Sequence, residues 1–334
     1  MVRSFCTSPM RQLFEYHPTV AYRFIPGLRL RVEHEAGGYL VRTNNSGFRC
    51  DREFVAPKTA GKRRVLVFGD SITAGDAVSN PKRYTDALER LIPDLEVYNF
   101  GLPGTGTDQQ YLVWREFARS IEADAVVLTV PFENIRRVNS RSRQFIDDQG
   151  VHRVHAKPYF ELDGRALTLR GIPVPRDPLR AEEAEPAGVA RTGRFRPLRD
   201  LVNKLGLRDA AQKLTGYQPL PEYDDPRGQE WTLMKAVLLE WIRQIPQPVL
   251  LVPFPVFQYI EGTADPAACV ARFREVAEEA GCHLHDLLPD LQRYSPEERR
   301  AFRFPTDIHP TQSGHEAVAR SVARVLQGLL PAAR

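Results

Sequence analysis

The stretch Val65-Leu66-Val67-Phe68-Gly69-Asp70-Ser71-Ile72-Thr73-Ala74-Gly75 decides how the rest of the chain is read. An apolar run gives way to a glycine, an acid and a serine and then to a helix start, the order of a buried strand turning into a helix. In an open parallel sheet, ligands collect at the carboxyl ends of the strands, which is where Ser71 would stand. The first amides of a helix lack intrahelical acceptors, so the N–H of Ser71 has a free direction as well. The same residues admit a plainer reading in which Asp70 or Ser71 only caps the helix.

Similar runs recur outward from this one, at Leu95 to Phe100, Ala125 to Val130, Pro248 to Phe254 and Cys282 to Leu287. Between the first two strands, Tyr84, Ala87, Leu88, Leu91 and Ile92 keep helical spacing, with Asp86 and Arg90 as an i, i+4 pair. Comparable helical patterns cover about 109–122, 229–244 and 266–280. After Pro310, Val318, Val322, Val325, Leu326 and Leu329 form one stripe. Strand and helix alternate, which predicts a three-layer α/β/α domain on a parallel sheet. Two parts fall outside the alternation. Residues 1–60 carry short alternating pieces, among them Leu28 to Val32 and Tyr39 to Arg42, and predict a small β-rich extension. Residues 135–230 are rich in Arg and Pro and weakly periodic. A connection of that length without structure of its own is unusual in a compact domain, so this is an insertion, either ordered or partly disordered. The α/β domain then spans 61–334, interrupted by that insertion.

With 334 residues, 42% hydrophobic and 26% charged, the chain is an ordinary globular one, and disorder, collagen and coiled coil are set aside. No apolar run is long enough to span a bilayer, and the start lacks the pattern of a secretory signal; if Met1 is the native start, a cytoplasmic location is expected. Cys6, Cys50, Cys269 and Cys282 form no C-x-x-C pair, so free thiols are expected rather than zinc or a disulfide scaffold. The net charge of +4 resides in residues 135–230, with eighteen basic against fourteen acidic residues, and is too small to imply nucleic-acid binding.

Three more segments carry chemistry. Asn99-Phe100-Gly101-Leu102-Pro103-Gly104-Thr105-Gly106-Thr107-Asp108 follows the second strand, and its glycines let backbone amides approach a ligand closely. It lacks the spacing of a dinucleotide or P-loop motif, and a tight turn is the alternative. Asn134 follows the third strand, at the same sheet edge. Near the C-terminus, Asp307 and His309 lie two residues apart, so in an extended segment both face one side, and Pro310 follows them.

Taken in order, the four segments resemble the SGNH hydrolases, the GDSL-type esterase family: Gly69-Asp70-Ser71, Asn99 through Gly104, Asn134, and Asp307 with His309. Thr43-Asn44-Asn45-Ser46-Gly47-Phe48-Arg49 and Gly104 to Gln109 resemble a bacterial branch of it. The sequence departs from the family pattern twice: Asp-x-His replaces Asp-x-x-His, and Phe132-Glu133-Asn134-Ile135 replaces Gly-x-Asn-Asp. The resemblance implies a flavodoxin-like SGNH fold and a serine hydrolase cleaving a carboxylic ester, an O-acyl group on a sugar or small metabolite. It implies Ser71 as nucleophile, His309 as base and Asp307 as the acid that orients it. The oxyanion would be held by the N–H groups of Ser71 and Gly104 and the amide of Asn134. The alternatives are an O-acyltransferase with the same triad and a binding module with a vestigial site. Neither cofactor nor metal is expected, and partners are limited to a small-molecule or glycan ester, with no nucleic acid and no membrane span.

The arginine-rich start of the insertion after Asn134 (Arg136, Arg137, Arg141 and Arg143) is read as binding an anionic part of the substrate, Arg136 and Arg137 foremost, against a solvated loop as the alternative. The remaining conspicuous residues take structural readings. Cys282, His283, His285 and Asp286 belong to a strand, His315 packs or caps, and Asp70 holds local backbone. Asp108 and Gln109 begin a helix, and Trp114, Trp231 and Trp241 pack in the core.

Overall fold

A computed structural model describes residues 13–146, 151–164, 166–180, 212 and 216–332. Cys6, the start at Met1 and residues 181–211 of the insertion lie outside the described residues. The chain opens with two antiparallel hairpins, β1 (Phe14–His17) with β2 (Ala21–Phe24) and β3 (Arg29–Val32) with β4 (Tyr39–Arg42). The second of these is the pair expected from the alternation at 28–32 and 39–42.

The central sheet is built from β5 (Arg63–Gly69), β6 (Leu95–Gly101) and β7 (Ala125–Pro131), with two strands from beyond the insertion. The insertion supplies β8 (Ser142–Ile146) paired with β9 (His152–Ala156), and β10 (Tyr159–Asp163) paired with β11 (Ala166–Arg170). The sheet is completed by β12 (Val249–Phe254) and β13 (His283–Leu284). All five central strands run parallel in the order β13-β12-β7-β5-β6. Numbered by their place in the sheet alone this is 2-1-3-4-5, the flavodoxin-like order, whose ligand crevice lies beyond the carboxyl ends of the first and third strands. Those strands are β5, which ends before Ser71, and β7, which ends before Asn134.

Both faces of β5, β6 and β7 are covered, which is why these strands read as apolar runs. Phe68 stacks on Phe100 across the β5–β6 pair, and Trp241 of the helix Gln229–Gln244 closes edge-on against Phe68. On the other face, Tyr84 of helix α2 (Tyr84–Leu91, after the short helix α1, Ser71–Ala74) bonds to both Thr73 and Thr129. Trp114, Trp231 and Trp241 are buried as expected, and truncating any one would cost about 3–5 kcal/mol. The N-terminal hairpins share this core through Tyr22, Phe24, Tyr39 and Val41, and beyond them Phe48 packs edge-on against Phe100 and Phe117.

Two elements are shorter than the sequence indicates. The pattern at 109–122 divides into helix α3 (Thr107–Val113) and a π-helical turn (Trp114–Ala118) that keeps Trp114 stacked beside Tyr111. The run at 282–287 pairs only at His283 and Leu284. Beyond them Asp286 accepts the N–H of Leu288 and turns the chain into a helix. No helix among the described residues is long and apolar enough to cross a membrane.

Candidate active site

Helix α1 lies against the end of β6 because Gly101 leaves room for it: a Cβ there would lie 2.2 Å from the amide nitrogen of Ala74. Asn99 fixes the approach, donating to the carbonyl of Thr73 at 2.7 Å and to the hydroxyl of Thr85 at 2.9 Å. Asp70 does cap the helix, accepting the N–H of Ile72 at 3.0 Å. Its other oxygen takes the guanidinium of Arg137, and with Asp70 only 1% exposed the pair is almost fully desolvated. Ser71 begins the helix and is 6% exposed.

Arg49, from the segment ahead of the first strand, supports this corner from behind. Its buried guanidinium donates to the carbonyls of Gly75 at 2.6 Å and Val78 at 2.8 Å and to Asn80 at 2.9 Å.

Asp307 and His309 meet as their spacing predicts. Asp307 Oδ1 accepts the backbone N–H of His309 at 2.9 Å and lies 2.5 Å from His309 Nδ1. The two-residue spacing thus closes a small ring in which one loop fixes both partners. It also assigns the ring proton to Nδ1 and leaves Nε2 as the acceptor. Burial opposes charge on His309, but the hydrogen bond to Asp307 and the carboxylates of Asp76, Asp307 and Asp70 outweigh it, so His309 titrates above an ordinary histidine. Burial likewise opposes charge on Asp307. The hydrogen bonds and charge of His309, with a further bond to His34, hold it well below the usual carboxylate range.

Ser71 and His309 line one cavity of about 110 Å3, with Asp70, Ile72, Pro131, Glu133, Arg137, Ile308 and the Phe254–Gln258 loop. Among the described residues no hydrogen bond joins Ser71 to His309; unliganded sites often hold such pairs apart. A larger groove of about 500 Å3, lined by Asp290, Arg293, Arg320 and Arg324, shares no residue with this cavity and holds none of the four segments.

Gly104 and Asn134 are not on the cavity wall. Gly104 takes the left-handed conformation at φ 76°, and a Cβ there would fall 2.7 Å from the guanidinium of Arg143 in β8. Asn134 opens helix α4 (Asn134–Val138) and is fully buried. Its amide donates to the hydroxyl of Thr107 at 3.2 Å, and its carbonyl accepts from Arg137 at 3.1 Å. Arg137 therefore joins Asp70, Asn134 and the carbonyl of Thr105. Arg136 points elsewhere, bonded to Glu222 at 2.5 Å and to the carbonyl of Pro219 at 2.8 Å.

Several residues around the site were not singled out from sequence. Tyr22 donates to the carbonyl of Pro103 at 2.5 Å. Lys157 forms an almost fully buried ion pair with Asp108. His34 bonds to Asp307 at 3.1 Å. All three come from the extension or the insertion, and no motif marks them; the only sequence signal was an acid, Asp108, in the first turn of a helix. His315 is buried, stacks on Tyr84 and accepts its N–H, in keeping with a packing role. His285 bonds to Ser321 at 2.7 Å, and no group of metal-ligating side chains occurs among the described residues.

Comparison with known proteins adds to this geometry. The model of the GDSL-like Lipase/Acylhydrolase family matches residues 67–317. The chain is similar to a solved member of the lipolytic protein G-D-S-L family from Veillonella parvula, at 12% identity and TM-score 0.43, covering 79% of this chain and 98% of that one. It is similar to a lipase/acylhydrolase from Enterococcus faecalis, at 17% identity and TM-score 0.43, covering 80% and 97%. An acetylxylan esterase from Geobacillus stearothermophilus aligns at 16% identity and TM-score 0.40, covering 78% and 93%. No curated protein matches the chain.

Proposed function

Since this chain belongs to the GDSL-like Lipase/Acylhydrolase family of ester-hydrolysing enzymes, we propose that Ser71, His309 and Asp307 are the triad with which it cleaves a short-chain carboxylic ester. The carrying observation is that His309, bonded to Asp307 behind it, lines the same cavity as Ser71. His309 Nε2 takes the proton of Ser71 as the hydroxyl attacks the carbonyl and returns it to the departing alkoxide; water then resolves the acyl-enzyme by the same route. Asp307 keeps the imidazole in the required tautomer and stabilises its charged form.

The N–H groups of Ser71 and Gly104 donate to no acceptor among the described residues, as donors awaiting an oxyanion should. We assign Asn134 as the third donor: among the described residues its amide gives one N–H to Thr107 and the other to no acceptor. We assign Arg137 to holding these pieces together and Arg136 to the surface. The cavity of about 110 Å3 beside Ser71 suits a short acyl group, on a sugar or small metabolite.

The test is labelling by a fluorophosphonate together with hydrolysis of p-nitrophenyl esters from acetyl to octanoyl. Labelling of the native chain but not of Ser71→Ala, with rates falling as the chain lengthens, is the expected result. Turnover by Ser71→Ala equal to that of the native enzyme refutes the assignment.

A further inference from the structure

The turn between β3 and β4 brings a second histidine to the acid of the triad. Its residues are Glu33 to Gly38, far from the 305–309 loop in sequence and packed against it in space. His34 Nε2 lies 3.1 Å from Asp307 Oδ2, on the opposite side of the carboxylate from His309. The next residue, Glu35, accepts both the N–H of Thr306, at 3.3 Å, and its hydroxyl. The turn thus grips two successive residues of the loop.

The proton on His34 can be assigned. Its Nδ1 accepts the N–H of Ala36 at 3.3 Å, so that nitrogen is bare and the hydrogen sits on Nε2. The Nε2–H then donates to Asp307. The ring packs edge-on against Phe304 at 4.6 Å, and the side chain is only 10% exposed, so its direction is set by packing.

We propose that His34 is a positioning residue: it ties down Asp307 Oδ2 so that Oδ1 stays on His309. The inference rests on the reading of Asp307 as the triad acid. A carboxylate turns easily about its last torsion, which is broad, and a single pair of bonds on one oxygen leaves the other free to wander. With His34 in place each oxygen has its own donor. With Nδ1 engaged by Ala36 and Nε2 by Asp307, the ring is held in one direction, so its contribution is orientation. That contribution matters most when His309 becomes imidazolium, in the transition state rather than in the bound ester, so it acts on kcat and leaves KM in place.

The experiment uses the full chain with p-nitrophenyl acetate and the variants His34→Phe, His34→Met and His34→Gln, with Ser71→Ala alongside. Phe keeps the ring contact with Phe304 without a donor. Met and Gln have similar length, and only Gln has an N–H that reaches Oδ2. We expect kcat to fall about tenfold or more in Phe and Met with KM within about twofold, and Gln to retain most of the rate. If Phe does not fold, the Met and Gln pair carries the comparison. Native kcat in both Phe and Met overturns the inference, as does an equal loss in Gln and Met. Turnover by Ser71→Ala would instead overturn the triad reading, which separates the two failures.

Discussion

Replacing Arg137 by methionine is expected to destabilise the enzyme and to slow it on every ester alike. Among the described residues the guanidinium is the only salt-bridge partner of the Asp70 carboxylate, which is 1% exposed, and it also holds the carbonyl of Asn134. Removing one member of a buried ion pair costs about 3–5 kcal/mol, because the other charge stays behind without compensation. Arg137 is itself 16% exposed, so some water would reach the vacated space, and about 3 kcal/mol is the working figure. That is roughly a hundredfold in the folding equilibrium. Adding Asp70→Asn removes the stranded charge while keeping an acceptor for the N–H of Ile72, and should recover most of the loss. Urea midpoints of the two single variants and the double variant give the coupling directly. In activity, kcat should drop with neutral and anionic esters to the same degree, since Asn134 loses the bond that aims its amide. A midpoint unchanged within about 0.5 kcal/mol, with KM rising for anionic esters alone, would refute this account and restore a substrate-binding role for Arg137.

Four further outcomes follow from the site. Asn134→Ala should lower kcat by about a hundred- to a thousandfold, or about 2.7–4 kcal/mol, with a smaller change in KM, as steady-state kinetics on a short ester would show. The base must be neutral to act, and His309 titrates above 6.5 when folded, so the acid limb of kcat/KM should lie above pH 6.5. The same shift stabilises the fold below pH 6.5 and is lost as pH rises through the folded value, whereas the contribution of Asp307 is present above pH 3.8 and is lost on acidification; denaturation across pH checks both signs. Lys157→Met should cost about 3–5 kcal/mol in a urea titration, because Asp108 would be left fully buried without its cation.

The α/β core was legible because its signals are local. A strand covered on both faces is an apolar run, and the helices on 84–91 and 229–244 carry stripes that packing only has to accept. Ser71, Asp307 and His309 stood out because an acid or a hydroxyl at a strand end or beside a helix-breaking proline has few structural uses. The insertion was opaque for the opposite reason. Among the described residues its hairpins β8–β9 and β10–β11 form separate two-stranded sheets, and Arg141 and Arg170 share Glu161 on the surface, so their strands carry no long apolar run even though Phe160 is buried and Leu167 and Leu169 pack against the core. Arg136 and Arg137 show how far adjacency misleads. On one short helix, consecutive residues face different ways: one reaches the surface carboxylate of Glu222, the other the buried carboxylate of Asp70.

The ties to residues outside the core fall on the loops at the carboxyl ends of the central strands and near the proposed triad. His34 and Glu35 hold the loop of Asp307, Tyr22 holds Pro103, Arg143 covers Gly104, and Lys157 anchors Asp108. Loops at that edge carry function and are ordinarily the mobile part of such a fold. A triad loses its advantage when its members drift by even an ångström from the reacting geometry. A sheet of five strands fixes where those loops start but not where their tips rest. In this chain the tips are held by segments added before β5 and after β7, so the surplus length serves the chemistry by immobilising it. Arg137 and Lys157 add charge to the same logic, each crossing from the insertion to a buried carboxylate of the core, Asp70 and Asp108, whereas Arg136 and Arg141 pair with Glu222 and Glu161 inside the insertion.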